Sequence, residues 1–317
     1  VAQRSTGRLE NGIGWVIRNL DVVIAVGLGL TIGFLDVFGD VVSDDVSSGA
    51  TLLVLGALAV GSLTERVRRR SDIREVSAET QRTLEDLAMV RSLSGNQVGE
   101  ALKNARQVTS RWYFKGGTGT YLRAVTLPRS VEIATRQRTP LTVKIDIINP
   151  GNEQTCSDYA RFRHTFARQR NVTAENAWTT SRTRKESYAT VLAACWFQQR
   201  LDTLDISVHL SSGVPTLRFD LSDSCLVITQ DDPNRVSLLV ARDQPLYDYY
   251  VTELHQSREH AVRLELHGLP PLSEEPTVDE VRTVFAHLNL ELPSVFTDGD
   301  IGEIIDKALH AEDPYRR

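Results

Sequence analysis

The chain has little cysteine, little lysine and no excess of positive charge. Three cysteines, Cys156, Cys195 and Cys225, are odd in number and widely spaced, without a C-x-x-C pair. They indicate neither a disulfide framework nor a zinc site, and read as buried thiols in a reducing compartment. Five lysines stand against 31 arginines among 36 basic residues. With the many Ala, Val and Gly, this points to a GC-rich bacterial genome, and Val1 reads as a translated GTG start. The formal charge of −5 argues against coating nucleic acid through bulk charge, so any anion site must be local. No metal-ligand spacing and no cofactor motif stands out, and the expectation is that the protein uses neither. With 41% hydrophobic and 24% charged residues the chain is not a disordered tail, and its length suits one or two packed domains.

Long apolar runs are missing after Leu63, but two precede it, Val22–Leu35 and Ala50–Leu63, both without charge. Each gives about 21 Å of helix, short of the ~30 Å hydrocarbon core, so flanking residues must extend it, to about 16–38 and 46–63. Gly29 with Gly33, and Ala57 with Gly61, place small residues four apart, which lets two helices approach closely in lipid. Arg4, Arg8 and Arg18 precede the first run and Arg66–Arg70 follow the second, whereas the connecting segment carries acids and no base. The positive-inside rule then puts both termini in the cytoplasm and the loop outside, as in a multi-pass protein of the cell inner membrane. The alternative is a buried helical hairpin in a soluble domain, since runs of this length are borderline.

From Ile73 to Leu93 apolar residues recur at helical spacing, which predicts a helix leaving the membrane, either a stalk that sets oligomer contacts or a plain linker. Domains follow as 1–70, a membrane hairpin; 71–107, a helical linker; 108–265, an α/β domain; and 266–317, a small helical tail. In the α/β domain the segments around Trp112, Val143, Ser207, Phe219, Val227 and Leu239 read as strands, separated by helical segments, which implies an α/β sandwich with a mixed sheet. In the tail, Thr277 and Glu280 form a capping box, and Asp298–Glu303 reads as a capped last helix rather than a calcium loop.

The segment from His209 to Thr229, "HLSSGVPTLRFDLSDSCLVIT", contains Thr216-x-Arg218-x4-Asp223 between two strands. Together with a strand followed by "GTGTY" and a helix, a strand ending in "IINPGN" and a long helix, it resembles one repeat of the phospholipase D-like superfamily, over roughly Val108 to Ala261. That family's signature is H-x-K-x4-D. The resemblance implies that Thr216 stands at the nucleophile, Arg218 at the phosphate-binding lysine and Asp223 at the motif aspartate. It also implies that two motifs are needed for turnover, in one chain or across a dimer. A threonine hydroxyl ionises far above physiological pH and no base adjoins it, so the nucleophilic step is lost and no catalytic residue is assigned. Arg218 holds phosphate in a bidentate fork at least as well as lysine does. The bland alternative makes Arg218 and Asp223 an ordinary ion pair on an exposed strand.

Two further segments carry anion chemistry. Gly117 and Gly119 have the look of a backbone nest before a helix, or simply of a tight turn without the lysine of a P-loop. Arg161 and Arg163, with Tyr159 and Phe162, suit stacking a base and clamping its phosphates, or else a core aromatic face with solvated arginines.

Three functions compete: a membrane-anchored, cytosol-facing sensor or effector that binds a phosphate-bearing or nucleotide ligand or a protein partner; an active phosphodiesterase on lipid or nucleic acid; and a membrane scaffold that docks a partner through its C-terminal helices. A homo-oligomer in the bilayer is expected in the first case.

Overall fold

The period-two runs of the sequence become strands of one sheet. The computed structural model describes residues 89–167, 178–230 and 236–315, within a compact unit spanning Ala88–Arg317. The two apolar N-terminal runs and the segment between Ile73 and Ala88 lie outside the described residues. Among those described, no helix is long and apolar enough to cross a membrane.

In chain order the elements are Arg91–Leu93 (β1), Asn96–Gln107 (α1), Arg111–Lys115 (β2), a π-helical turn Leu122–Thr126 that runs into Leu127–Gln137 (α2), Leu141–Ile148 (β3), Glu153–Ala167 (α3) and Thr180–Gln198 (α4). There follow Leu204–Ser211 (β4), Arg218–Leu221 (β5), Cys225–Thr229 (β6), Ser237–Ala241 (β7), Pro245–Glu259 (α5), Val262–Leu264 (β8), Val278–His287 (α6) and Asp298–Leu309 (α7). The strands form one mixed sheet in the order β1-β7-β6-β5-β2-β3-β4-β8. Only β2, β3 and β4 run parallel to one another; the other pairs are antiparallel.

Alternation gives the sheet two unlike faces. On one, Trp112, Phe114, Ile145, Val208 and Val227 pack with residues of α1, α2, α4, α6 and α7 in the main core. On the other, Leu221, Leu226, Ile228 and Val240 pack on Tyr247 and Leu254 of α5. A third cluster, Ile148, Cys156 and Tyr159, seats α3 at the carboxyl end of β3. Helix α4 is buried on every side from Glu186 to Cys195, and its polar residues Thr183, Glu186, Ser187 and Thr190 have little or no exposure. The three cysteines are free and buried.

The C-terminal helices are part of the main core. Val281, Phe285, Ile301 and Ile304 have no exposure, and each such side chain contributes about 1.5–3 kcal/mol by leaving water. Both expected caps are present: Thr277 and Glu280 close a reciprocal box on α6, and Thr297 with Asp300 does the same on α7. One expectation is corrected. Helical spacing reaches Leu93 in the sequence, yet Arg91–Leu93 is a strand, because it pairs antiparallel with Ser237–Leu239 at the sheet edge. A distant ladder outweighs a local period in so short a segment.

Candidate functional site

The chain leaves β2 through Gly116–Thr120, and this loop is fastened to the core by its carbonyls. The Gly117 carbonyl accepts from Ile148 N at 3.0 Å, Thr118 O accepts from the Thr190 hydroxyl at 2.6 Å, and Gly119 O accepts from Arg123 N at 2.9 Å. In a planar trans peptide the N–H points opposite to the C=O, and no cis peptide is present among the described residues. The amides of Thr118, Gly119 and Thr120 therefore point away from β3, away from α4 and out along the helix that starts at Thr120. Such a set of donors at a helix start attracts an anion. Glycine is required at two positions: a Cβ on Gly117 would run into the Tyr159 phenol, and Gly119 has φ +73° with Thr190 Cγ2 3.0 Å from where its Cβ would be.

These amides border a cavity of about 330 Å3 beyond the carboxyl end of β2, where open α/β sheets commonly take ligands. Arg218, at the first position of β5, lines it. Its Nε donates to the Thr229 hydroxyl at 2.8 Å, its Nη1 to the Tyr315 hydroxyl at 3.3 Å, and Asp220 lies 4.0 Å from Nε. Burial raises the Asp220 carboxyl above its ordinary value, although Arg218 and a hydrogen bond from Trp112 Nε1 pull it down. Thr216 lines the same cavity from the exposed loop before β5.

The opposite wall is aromatic and cationic. Trp178 donates Nε1 to Thr183 Oγ1 at 2.8 Å, which holds the indole by its edge. The guanidinium carbons of Arg163 and Arg182 lie 4.3 and 4.5 Å from its ring centroid, and Tyr159 meets it edge-on at 6.3 Å. Tyr315 closes the site next to Arg218, 5.5 Å from the Tyr121 ring. Arg218, Tyr121 and Tyr315 also line a neighbouring cavity of about 290 Å3 on the α1 side, so they form the partition between the two.

Among the described residues one acid, Glu186, lines the cavity, and it is neutralised from behind. Arg123 reaches it at 2.6 Å and Lys307 of α7 at 2.8 Å, with the Thr120 hydroxyl at 3.1 Å. Burial alone would raise its carboxyl, but the two cations outweigh that and hold it at about 2. Among the described residues, Arg163, Arg182 and Arg218 line the cavity together with this one carboxylate, which is held between cations of its own.

The structure thus brings Thr216, Arg218, Arg163, Gly117 and Gly119 onto one cavity, from three segments of the chain. It does not bring Asp223 or Arg161 there. Asp223 lies past the far end of β5, five residues from Arg218, in the turn before β6. There it accepts from Ser110 N and Oγ at 2.8 Å each and pairs with Arg111 Nε at 2.7 Å. It fixes the start of β2. Arg161 is two positions from Arg163, on the other side of α3, exposed and paired with Asp158 at 2.6 Å. His209 lies on the sheet face opposite Arg218, its Nδ1 3.6 Å from Asp146 Oδ1. Burial, helped by Arg258, lowers its ring to about 4. His164 is exposed on α3.

Trp178, Arg182, Tyr121, Tyr315 and Glu186 belong to the site without having been singled out in the sequence. Trp178 and Arg182 flank a helix cap, Thr179, whose hydroxyl accepts from Arg182 N; that capping signal was the only local sign that two cavity residues sit together. Among the described residues no cluster of three or more His, Cys, Asp or Glu has the arrangement of a metal site.

No family model matches the chain, and no curated protein matches it. Among solved structures it is similar to TrmBL2, described as an archaeal chromatin protein with a novel mode of DNA binding, at 8% identity over 65% of this chain and 70% of that one, with a TM-score of 0.31. It is also similar to phosphatidylserine synthase of Haemophilus influenzae Rd KW20, at 13% identity over 68% of this chain and 47% of that one, with a TM-score of 0.39. Both likenesses are too distant to assign this chain a family or an activity.

Proposed function

We propose that residues 108–265 are a phospholipase D-like domain whose signature strand has lost its nucleophile and kept a cation, and that it binds a phosphate-bearing ligand on the cytoplasmic side of a membrane held by the segments 16–38 and 46–63. The observation that carries this reading is that Arg218, Arg163, Arg182 and the Gly117–Thr120 loop line one cavity. Charge-assisted hydrogen bonds from guanidinium and backbone N–H groups are the usual means of holding phosphate oxygens. Catalysis is disfavoured on chemical grounds: the residue at the nucleophile position is a threonine, and no histidine, cysteine or lysine lines the cavity among the described residues.

Isothermal titration of the full chain in detergent micelles with pyrophosphate tests the reading. Saturable binding that Arg218→Ala weakens supports it. Absence of binding by any phosphate compound sinks it and favours a membrane scaffold, and steady hydrolysis of diester substrates by the unmodified chain favours an enzyme.

A further inference from the structure

The cavity holds more than phosphate-binding groups. Its donors, Arg218 and the Thr118–Thr120 amides, are joined on one side by a wall of flat surfaces: the Trp178 indole with the guanidinium groups of Arg163 and Arg182 over it. A bare phosphate needs no such wall, and about 330 Å3 is more room than a single phosphate fills. A lipid needs an aliphatic channel, whereas among the described residues the only aliphatic side chains lining the cavity are Leu217 and two prolines, Pro215 and Pro314. Indole and guanidinium planes are the surfaces on which nucleobases stack.

We propose that the ligand is a nucleotide, its base stacked on the Trp178–Arg163–Arg182 wall and its phosphate held by Arg218 and the Gly117–Thr120 loop. This rests on the phosphate-binding reading above and adds the planar base. The layer is built for the purpose in two respects. The indole is held by its Nε1 edge on Thr183, and the Arg163 and Arg182 guanidinium groups lie over its ring, so the stack a base would extend is already started. The two guanidinium groups add planar cationic surface to the wall, and such planes stack on bases.

The test compares ligands of one charge. The full chain in micelles is titrated with AMP, GMP, CMP and UMP, with ribose 5-phosphate, and with the four nucleosides. At least one nucleoside monophosphate is expected to bind about tenfold or more tighter than ribose 5-phosphate, the scale of one base–aromatic stack. Trp178→Leu should remove that preference and leave ribose 5-phosphate binding in place. Because Trp178 also anchors the start of α4, photolabelling of the unmodified chain with 8-azido-AMP provides a second reading: the label is expected on peptides containing Tyr159, Arg163 or Trp178. Ribose 5-phosphate binding as tightly as all four nucleotides, or label confined to other peptides, overturns the base site and leaves the phosphate site standing. Nucleosides binding as tightly as their phosphates overturns the phosphate site. No binding by any of these compounds overturns both.

Discussion

Arg218 donates Nε to the Thr229 hydroxyl at 2.8 Å, and the two residues are partners in the β5–β6 ladder. The guanidinium is thereby aimed by the sheet itself, with Nη1 on the Tyr315 side of the cavity. If this aim serves anion binding, Arg218→Ala should weaken pyrophosphate by about 1.5–3 kcal/mol, the range for hydrogen bonds to a charged group. Arg218→Lys should recover only part, because ammonium has no fork. Thr229→Val should give a smaller loss. Titration of the three variants against the parent measures this, and equal affinities throughout would remove Arg218 from the site.

The Glu186 carboxyl joins the cavity floor to α7, and its charge sits between Arg123 and Lys307. Its folded pKa of about 2 lies below the ordinary 4.5. The stability it contributes is therefore complete above about pH 4.5 and is lost as pH falls toward 2. Glu186→Gln should lower stability at pH 7 by about 3–5 kcal/mol, since Arg123 is left buried without its counter-charge. It should also flatten the acid limb between pH 4.5 and 2. Denaturant midpoints across that window show both effects, and an unchanged acid limb would contradict the network.

Asp146 behaves in the opposite sense. Burial raises its carboxyl from 3.8 to about 7, although Arg258, Lys115 and Lys144 pull it down. A raised folded pKa means that the ionised form weakens the fold as pH rises from 3.8 through 7. Asp146→Asn should then match the parent near pH 4 and exceed it at pH 8, by at most about 4 kcal/mol. Melting temperatures of the two proteins over this range give the comparison. A lower melting point for the variant at pH 8 would mean that the carboxylate is used in its charged form.

Gly119 has φ +73° and Thr190 against it. Gly119→Ala should cost about 1 kcal/mol or more of stability from the left-handed backbone alone. It should weaken anion binding further, because the amides that follow move with it. A variant with reduced stability but unchanged pyrophosphate affinity would show that the loop is only a turn.

The arginines around the two apolar runs predict topology. Reporters fused before Trp15 and after Arg70 should both register cytoplasm. A periplasmic signal from the second fusion would reverse the orientation proposed for the ligand site.

Local chemistry was legible where a few neighbouring residues suffice. Thr277 with Glu280 announces a capping box because the two bonds close within one helical turn. Alternation in Arg111–Lys115 announces a strand because the period is a property of the strand alone. Arg218 and the Gly117–Gly119 loop could be singled out for the same reason, and both line the cavity. The net charge of −5 implied only that any anion site would be local rather than spread over the surface.

What the tertiary structure decided involves partners far apart in the chain. Asp223 meets Ser110 across 113 positions and Tyr315 meets Arg218 across 97. No period or spacing encodes such contacts, because they arise only when the order β5-β2-β3 sets the strands side by side. That order carried Asp223 out of the site, turned His209 to the opposite face and gathered Trp178, Arg182 and Tyr315 into it. The reason is physical: backbone propensity acts over a few residues, whereas the choice of which faces pack together depends on burying apolar area contributed by the whole chain.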